Sequence, residues 1–178
     1  MDKKTIILGV TGGIAVYKAA DLCSRLARKY EVLVTMTPNA RKLISERIFF
    51  TLSGSPVLTD LFTVPEWKPV HVSLAQRADL MIVAPCTANF IGKYAHGIAD
   101  DALTTTAITF RGKMLLAPAM NPDILHSPAV QDNLELLRKR GVFFVGPATG
   151  HLACGTDGEG RMSEPSEIEE AADRLLES

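Results

Sequence analysis

Cysteine is scarce in this sequence, and neither an excess of one charge nor a long hydrophobic run is present. The three cysteines among 178 residues lie far apart, a spacing that gives neither a disulfide framework nor a paired metal site. Lysine and arginine (19) nearly balance aspartate and glutamate (20), so the charge pattern does not indicate a nucleic-acid surface. No apolar run approaches membrane-spanning length, and the chain begins with a strand rather than a signal peptide. We therefore expect a cytoplasmic protein with reduced thiols, no metal site and no nucleic-acid or membrane partner.

The length suits one full domain and is short for two, so we expect a single domain over residues 1–178. Short apolar runs typical of buried strands alternate with segments of helical periodicity. The first two predicted strands flank one helix closely enough to form a βαβ unit, which predicts parallel pairing and a right-handed crossover. This pattern predicts an α/β fold, a Rossmann-like (flavodoxin-like) three-layer sandwich with a mostly parallel central sheet.

The first thirty residues contain the strongest candidate for a ligand site. Residues 5–10 form a short apolar strand, Thr11-Gly12-Gly13 interrupts it, and residues 14–29 have the periodicity of a helix. A glycine turn from a buried strand into a helix points backbone N–H groups at the positive end of the helix dipole, which suits a phosphate. The spacing matches neither a dinucleotide fingerprint nor a P-loop. A mononucleotide phosphate and an ordinary tight turn therefore both remain open.

Small polar residues follow the other predicted strands, at residues 31–36, 80–84, 113–117 and 142–145. Ligands of such folds bind at the carboxyl ends of strands, although Thr37 on its own is more typical of a turn. We expect Asn39 to cap a short helix that runs through residue 44, and Asp100 or Asp101 to cap the helix over 102–110. Acid–base chemistry is the alternative role for these two carboxylates. Ser163 or Ser166 is the expected cap of the C-terminal helix.

Two irregular regions complete the chain. Residues 46–70 are punctuated by glycine and proline, and we expect short helical or extended pieces there. Their apolar segment, Phe49, Phe50, Leu61 and Phe62, suggests a subunit contact, and Leu61 and Phe62 with Trp67 also fit a substrate wall or a loop packed on its own core. Residues 147–161 are rich in glycine and have no periodicity, which is typical of a functional lid or of disorder. The segment His151-Leu152-Ala153-Cys154 within them is too apolar for disorder alone.

Four motifs occur in order along the chain. They are Gly-Val-Thr-Gly-Gly-Ile-Ala-Val-Tyr-Lys (9–18), Ala-Pro-Cys-Thr-Ala-Asn (84–89) with Gly-Ile-Ala-Asp-Asp (97–101), Pro-Ala-Met-Asn (118–121), and Leu-Ala-Cys-Gly (152–155) followed by Gly-Arg-Met (160–162). Together they resemble the flavin-containing cysteine decarboxylase family. The resemblance runs from about residue 4 to the C-terminal helix, and Pro-Ala-Met-Asn with the downstream Ala-Cys-Gly is its most specific part.

The resemblance implies FMN as the cofactor and assigns roles to individual residues. FMN is expected to contact Gly12, Gly13, Ile14, Thr37, Thr87, Ala88, Asn89, Phe90 and Ala119. His71 matches the active-site histidine, as a base toward the substrate thiol or as an orienting group. Asn121 is expected to hold the substrate carboxylate and Cys154 to donate a proton, with His151, Leu152 and Ala153 also contacting the substrate. The chain departs from the family at Ile124 and Leu125, where methionine and tryptophan are common.

The implied reaction converts 4′-phosphopantothenoylcysteine to 4′-phosphopantetheine in coenzyme A biosynthesis. Oxidation of the cysteine side chain to a thioaldehyde creates an electron sink, loss of carbon dioxide gives an ene-thiol, and reduced FMN with Cys154 completes the reduction. The family implies a homo-oligomer, a trimer or a dodecamer of trimers. Because the chain stops at Ser178, it resembles the stand-alone form, with a separate phosphopantothenate–cysteine ligase as a further expected partner.

Three alternatives share this fold. A peptidyl-cysteine decarboxylase stops at the ene-thiol and does not need Cys154 with its glycine-rich segment. A flavin prenyltransferase is expected to lack Pro-Ala-Met-Asn. A non-catalytic regulatory subunit is disfavoured because His71, Asn121 and Cys154 occur together.

Overall fold

The computed structural model describes residues 3–62, 69–151, 155 and 157–177. Its main sheet is five-stranded and parallel, with the order β2-β1-β3-β4-β5. The strands are β1 (Thr5–Val10), β2 (Glu31–Met36), β3 (Leu80–Cys86), β4 (Lys113–Pro118) and β5 (Phe143–Phe144). A separate antiparallel hairpin contains β6 (Ala148–His151) and β7 (Asp157–Arg161). The helices are α1 (Val16–Lys29), α2 (Pro38–Arg41), α3 (Glu46–Ser53), α4 (Val70–Arg77), α5 (Ala88–Ala95), α6 (Ala102–Thr109), α7 (Pro122–Leu125), α8 (Pro128–Lys139) and α9 (Pro165–Glu177).

The central strands are apolar without alternation because helices cover both faces of the sheet. Ile6 and Leu8 of β1 pack in one core with Leu22 of α1 and Ile168 of α9. Ile7, the residue between them, packs on the opposite face in a second core that includes residues of α6 and α8. These two cores separate three layers, which confirms the flavodoxin-like α/β fold. No helix within the described ranges is both long and apolar enough to cross a membrane.

The helix boundaries and caps differ in places from those expected. Helix α1 begins at Val16, two residues late, because Gly12 to Ala15 form a turn in which the N–H of Gly13 donates to the carbonyl of Thr11 (3.0 Å). Thr37, and not Asn39, caps α2, since its Oγ1 accepts from the N–H of Ala40 (3.2 Å). This helix ends at Arg41 rather than residue 44.

The expected cap at Asp101 is confirmed. Its carboxylate accepts from the N–H of Thr104 (2.8 Å), and the Thr104 hydroxyl accepts from the N–H of Asp101, which completes a capping box. The expected caps of the C-terminal helix are wrong. Helix α9 begins at Pro165, after Glu164, whose N–H donates to Oε2 of Glu167 (2.7 Å). Ser166 is therefore inside the helix and Ser163 lies two residues before it.

Residues 46–53, within the region where short helical or extended pieces were expected, form helix α3, which ends at Gly54 in the left-handed region (φ +71°). Phe49 on this helix is fully buried in the first core, so the expectation that it contacts another subunit is wrong. Phe50 is exposed, and Phe62 is 95% exposed. Leu61 is half-buried, and Trp67 lies outside the described residues.

The region 147–161 is not simply an irregular loop, because β6 and β7 pair within it as a hairpin. Most residues of these strands face solvent, so their sequence carries no hydrophobic alternation from which the strands could be predicted. Gly160 of β7 anchors the hairpin to the loop after β4, where its carbonyl accepts from the N–H of Met120 (2.9 Å). Gly160 has φ +122°, and a Cβ there would lie 2.1 Å from the Met120 carbonyl oxygen.

We expect Gly160→Ala to release the hairpin from the loop at Met120 and to lower the free energy of unfolding by about 1–3 kcal/mol, as strained backbone does. Urea unfolding of the purified protein measures this change. Gly150→Ala is the matched control in β6, because its Cβ would meet only the flexible side chain of Arg161, 3.2 Å from Nη1. Equal stability of the two variants would contradict the anchoring role of Gly160.

Candidate functional site

The carboxyl edge of the sheet contains a cavity at the point where the strand order reverses. The chain passes from β1 to β2 on one side and then to β3 on the other, and ligands of open α/β sheets bind at such a switch point. The cavity has a volume of about 240 Å³. It is lined by Thr11, Gly12, Thr37, Pro38, Asn39, Thr87, Asn89, Lys93, Asp100 and Asp101.

The side chain of Thr11 joins the ends of β1 and β3 at the floor of this cavity. Thr11 is 1% exposed. Its Oγ1 donates to the carbonyl of Pro85 (2.6 Å) and accepts from the N–H of Thr87 (3.2 Å). One hydroxyl thus fixes the turn before α1 relative to the turn before α5.

The helix N-termini at this edge fall into two groups. Side chains cap α2, α6 and α7, through Thr37, Asp101 and Asn121. Helices α1 and α5 have no side-chain cap, and the cavity is lined by Thr11 and Gly12 of the turn before α1 and by Thr87 and Asn89 at the start of α5. Uncapped helix N-termini present backbone N–H groups and a positive dipole end to a ligand, so this part of the cavity suits an anion.

The backbone N–H groups of the glycine turn, residues 12–14, are not equally available to an anion. The N–H of Gly13 is already bonded to Thr11, whereas those of Gly12 and Ile14 have no acceptor in the part of the chain that the structure describes. Gly12 also permits close packing, because a Cβ there would lie 2.6 Å from Cβ of Asn39. A side chain at position 12 would therefore displace the start of α2 rather than only fill space meant for a ligand. A Cβ at Gly13 would make ordinary contact with Thr87 (3.4 Å).

A charged pair lies on the opposite wall of the cavity. Nζ of Lys93 donates to both carboxylate oxygens of Asp100 (2.8 and 2.9 Å). The hydrogen bond from Lys93 lowers the pKa of Asp100 below its ordinary value, so Asp100 is a carboxylate at neutral pH and not a general acid. Asp101 is engaged as the cap of α6. The geometry favours structural roles for both carboxylates.

The motif Pro-Ala-Met-Asn forms the end of β4 and the start of α7, next to β3. The N–H of Ala119 donates to the carbonyl of Cys86 (3.0 Å), and the N–H of Met120 donates to Gly160. Asn121 is exposed, and its Oδ1 accepts from the N–H of Asp123 (2.8 Å) as the cap of α7. Ile124 is exposed on this helix, whereas Leu125 is buried in the second core.

The structure brings together four of the residues expected to bind the cofactor, since Gly12, Thr37, Thr87 and Asn89 all line the cavity. Among the remaining residues, Phe90 is buried and stacks on Tyr94 (5.8 Å between ring centroids), which leaves only its backbone for a ligand. Ile14 is exposed. Gly13 and Ala88 are sequence neighbours of lining residues but do not line the cavity themselves, and Ala119 is also outside its lining.

The residues expected to be catalytic are more dispersed. His71 is half-buried in the first turn of α4 and is outside the cavity lining. His151 is exposed on β6, with Nδ1 3.3 Å from Oδ1 of Asp157. Leu152, Ala153 and Cys154 lie outside the described residues.

Sequence reasoning missed Thr11, Pro38, Asn39 and Lys93 as cavity residues. Thr11 had a usable signal, because it is the residue at which a buried strand meets a glycine turn. Lys93 had none, since its place on the cavity wall depends on how the loop 96–101 folds back along α5.

Comparison with known proteins gives consistent matches. The bifunctional coenzyme A biosynthesis protein CoaBC of Bacillus subtilis is 43% identical over 98% of this chain and 43% of its own length. The CoaBC protein of Mycobacterium tuberculosis is also 43% identical, over 98% of this chain and 42% of its own. This chain therefore spans less than half the length of these relatives.

Solved structures match over nearly the whole chain. A cysteine-to-serine mutant of PPC decarboxylase, complexed with pantothenoylaminoethenethiol, has a TM-score of 0.91 at 27% identity and covers 99% of this chain and 100% of its own. The FMN-dependent cysteine decarboxylase SpaF has a TM-score of 0.82 at 30% identity, over 97% of this chain and 95% of its own. The Flavoprotein family matches residues 1–177. The chain belongs to the Flavoprotein family.

Proposed function

We propose that this protein is an FMN-dependent decarboxylase that converts 4′-phosphopantothenoylcysteine to 4′-phosphopantetheine in coenzyme A biosynthesis. The observation that carries the proposal is the cavity at the carboxyl edge, which is lined by the glycine turn before α1 and by the start of α5, two helices without a side-chain cap. The similarity to CoaBC and to PPC decarboxylase supplies the reaction class. We further propose that residues 1–178 act as a single flavoprotein domain.

The residues of the cavity fit FMN. The N–H groups of Gly12 and Ile14 and the first turn of α5 suit the phosphate, because no side chain caps these two helices. Hydroxyl and amide groups on Thr37, Thr87 and Asn89 suit the polyol chain and the polar edge of the ring. When bound, FMN would accept a hydride from the substrate and return it later.

Asn121 is the residue that we assign to the substrate carboxylate. Its Oδ1 is held by the N–H of Asp123, which fixes the side chain at the start of α7. The NH₂ group at the other side of the amide is the donor for a carboxylate. Holding this carboxylate in one orientation lowers the entropy cost of the step that releases carbon dioxide.

Cys154 is the residue that we assign to proton donation in the second half of the reaction. The two described cysteines are unsuited to it, because burial raises the pKa of Cys23 to about 12 and raises that of Cys86 well above its ordinary value. His71 acts on the substrate thiol, as a base or as an orienting group. Glycines on both sides of Cys154 in the sequence, Gly150 and Gly155, fit a donor used once per turnover.

Three further proposals concern where and with what the protein acts. We propose a homotrimer or homododecamer in which the exposed rings of Phe50 and Phe62 contact another subunit. A ligase for phosphopantothenate and cysteine is the proposed partner, since the CoaBC relatives are bifunctional proteins of coenzyme A biosynthesis. The buried free thiols of Cys23 and Cys86 fit a cytoplasmic location.

We expect Thr11→Val to weaken FMN binding, because it leaves the N–H of Thr87 and the carbonyl of Pro85 without their partner. An unsatisfied buried group costs about 1–3 kcal/mol, so in the free variant the two turns move apart to relieve that cost. FMN binding must then restore their arrangement, which lowers the affinity by roughly ten- to a hundredfold. Titration of flavin fluorescence measures the affinity. Thr11→Ser keeps the hydroxyl and should bind FMN as the parent does. Equal affinity for the valine and serine variants would contradict the role of the hydroxyl.

Asn121→Ser distinguishes the two roles of Asn121, as the cap of α7 and as the proposed ligand of the substrate carboxylate. Serine retains the cap of α7, so the stability of the protein should not change, whereas Asn121→Ala should lose about 1 kcal/mol. Loss of the amide should slow the release of carbon dioxide from phosphopantothenoylcysteine by about a hundredfold. If the serine variant releases carbon dioxide at the parent rate, the assignment of Asn121 to the carboxylate is wrong.

Cys154→Ser should still release carbon dioxide but leave the ene-thiol unreduced, because a hydroxyl is a far weaker acid than a thiol. Mass spectrometry of the product distinguishes ene-thiol from phosphopantetheine. Cys23→Ala is the control and should give phosphopantetheine. Phosphopantetheine formed by Cys154→Ser at the parent rate would remove Cys154 from the mechanism. An ene-thiol as the product of the parent itself would favour a peptidyl-cysteine type of decarboxylase.

A further inference from the structure

Lys18 is a buried cation with no role in the site described above. It lies on α1, three residues after the end of the turn formed by residues 12–15, and its residue is 7% exposed. Its Nζ lies 2.8 Å from Oε1 of Glu164 and 3.5 Å from the carbonyl oxygen of Met162. Burial of an ammonium group is costly unless a carboxylate and further acceptors receive it, so this position has a specific use for the charge.

The partners of Lys18 connect it to the hairpin. Met162 and Glu164 directly follow β7, and Glu164 also accepts from Nη2 of Arg161, the last residue of that strand (2.6 Å). The hydrogen bond from Lys18 is the main cause of the lowered pKa of Glu164, which keeps this carboxylate charged at neutral pH. Lys18 therefore holds the end of β7 against α1.

The opposite side of β7 holds the loop that contains Asn121. The carbonyl of Gly160 accepts from the N–H of Met120, and Gly160 approaches this loop so closely that it has no room for a side chain. Contacts thus run from Lys18 through Glu164 and Arg161 to Gly160 and Met120. This series joins the helix that begins at the cavity turn to the residue preceding Asn121.

We propose that Lys18 is a positioning residue, which fixes the loop of Met120 and Asn121 relative to the turn that begins α1. The part of the proposal that concerns substrate rests on the proposed function. Under that function, Lys18 sets the distance between the cofactor end and the substrate-carboxylate end of the site without touching either ligand.

The burial of Lys18 is not explained by a need to attach α9 to α1, because Lys29 on α1 and Tyr30 just after it already make that attachment. Nζ of Lys29 lies 2.8 Å from both Glu169 and Asp173 of α9. The hydroxyl of Tyr30, just after α1, donates to Asp173 (2.6 Å). Lys29→Met is therefore a matched control: it removes a lysine of the same helix that binds the same C-terminal region but does not contact residues 161–164.

The first experiment measures hydrogen exchange of the Met120 amide in the purified protein. We expect exchange about tenfold or more faster in Lys18→Met than in the parent, since local opening of the β7 contact exposes this N–H, and little change in Lys29→Met. Unchanged exchange in Lys18→Met, or equal acceleration in both variants, would overturn the proposal. Should Lys18→Met not fold, Glu164→Gln removes the other charge of the same ion pair from a more exposed position and carries the same expectations.

The second experiment uses the FMN-loaded protein with phosphopantothenoylcysteine. Lys18→Met should raise KM about tenfold, while kcat and the affinity for FMN change by less than about threefold, because a displaced Asn121 loop weakens substrate binding. Unchanged KM together with faster Met120 exchange would overturn the positioning role. If the parent neither binds FMN nor releases carbon dioxide, the proposed function fails, and the exchange of Met120 still decides whether Lys18 holds the loop.

Discussion

The hydroxyl of Thr11 is the contact on which the geometry of this site depends. Parallel strands need long crossovers, and β2 with its helices also intervenes, so the carboxyl ends of β1 and β3, at Val10 and Cys86, are separated by 75 residues of chain. One buried hydroxyl spans this separation, donating to Pro85 and accepting from Thr87. The turn before α1 and the turn before α5 are thereby joined by a single buried side chain, and residues of both turns line the same cavity.

Two further constraints keep this volume open. Gly12 lets the start of α2 approach the turn, because a Cβ there would collide with Asn39. Lys93 and Asp100 form the facing wall and neutralise each other, which leaves the helix N-termini as the electropositive part of the cavity. The loop of Asn121 after β4 is held by the hydrogen bond from Met120 to Gly160 of β7. The end of β7 is in turn held by the ion pair of Lys18 with Glu164. The cofactor end thus depends on contacts between strand ends, and the substrate end on contacts of the hairpin.

The sequence predicted the layers well and the surface poorly, for physical reasons. Buried parallel strands such as β1 and β3 are continuous apolar runs, and Asp101 carries a capping signal that is local in sequence, so both were predicted. The hairpin was missed because its strands are exposed and rich in glycine. Phe49 was wrongly assigned to a subunit contact, because without a clear periodicity the sequence does not distinguish an aromatic residue of the core from one at an interface. Lys93 joins the site through tertiary contacts alone, whereas Thr11 was marked by its place between a buried strand and a glycine turn. The motif resemblance had already indicated the cofactor and the edge of the sheet.

The most direct test of the account is the electron density of crystals grown with FMN. The account predicts a flavin phosphate within hydrogen-bonding distance of the backbone N–H groups of Gly12 or Ile14 and of the first turn of α5, with Thr11 still bonded to Pro85 and Thr87. Flavin density elsewhere, for example at the basic loop of Arg41, Lys42 and Arg47, would contradict the assignment of the cavity as the cofactor site.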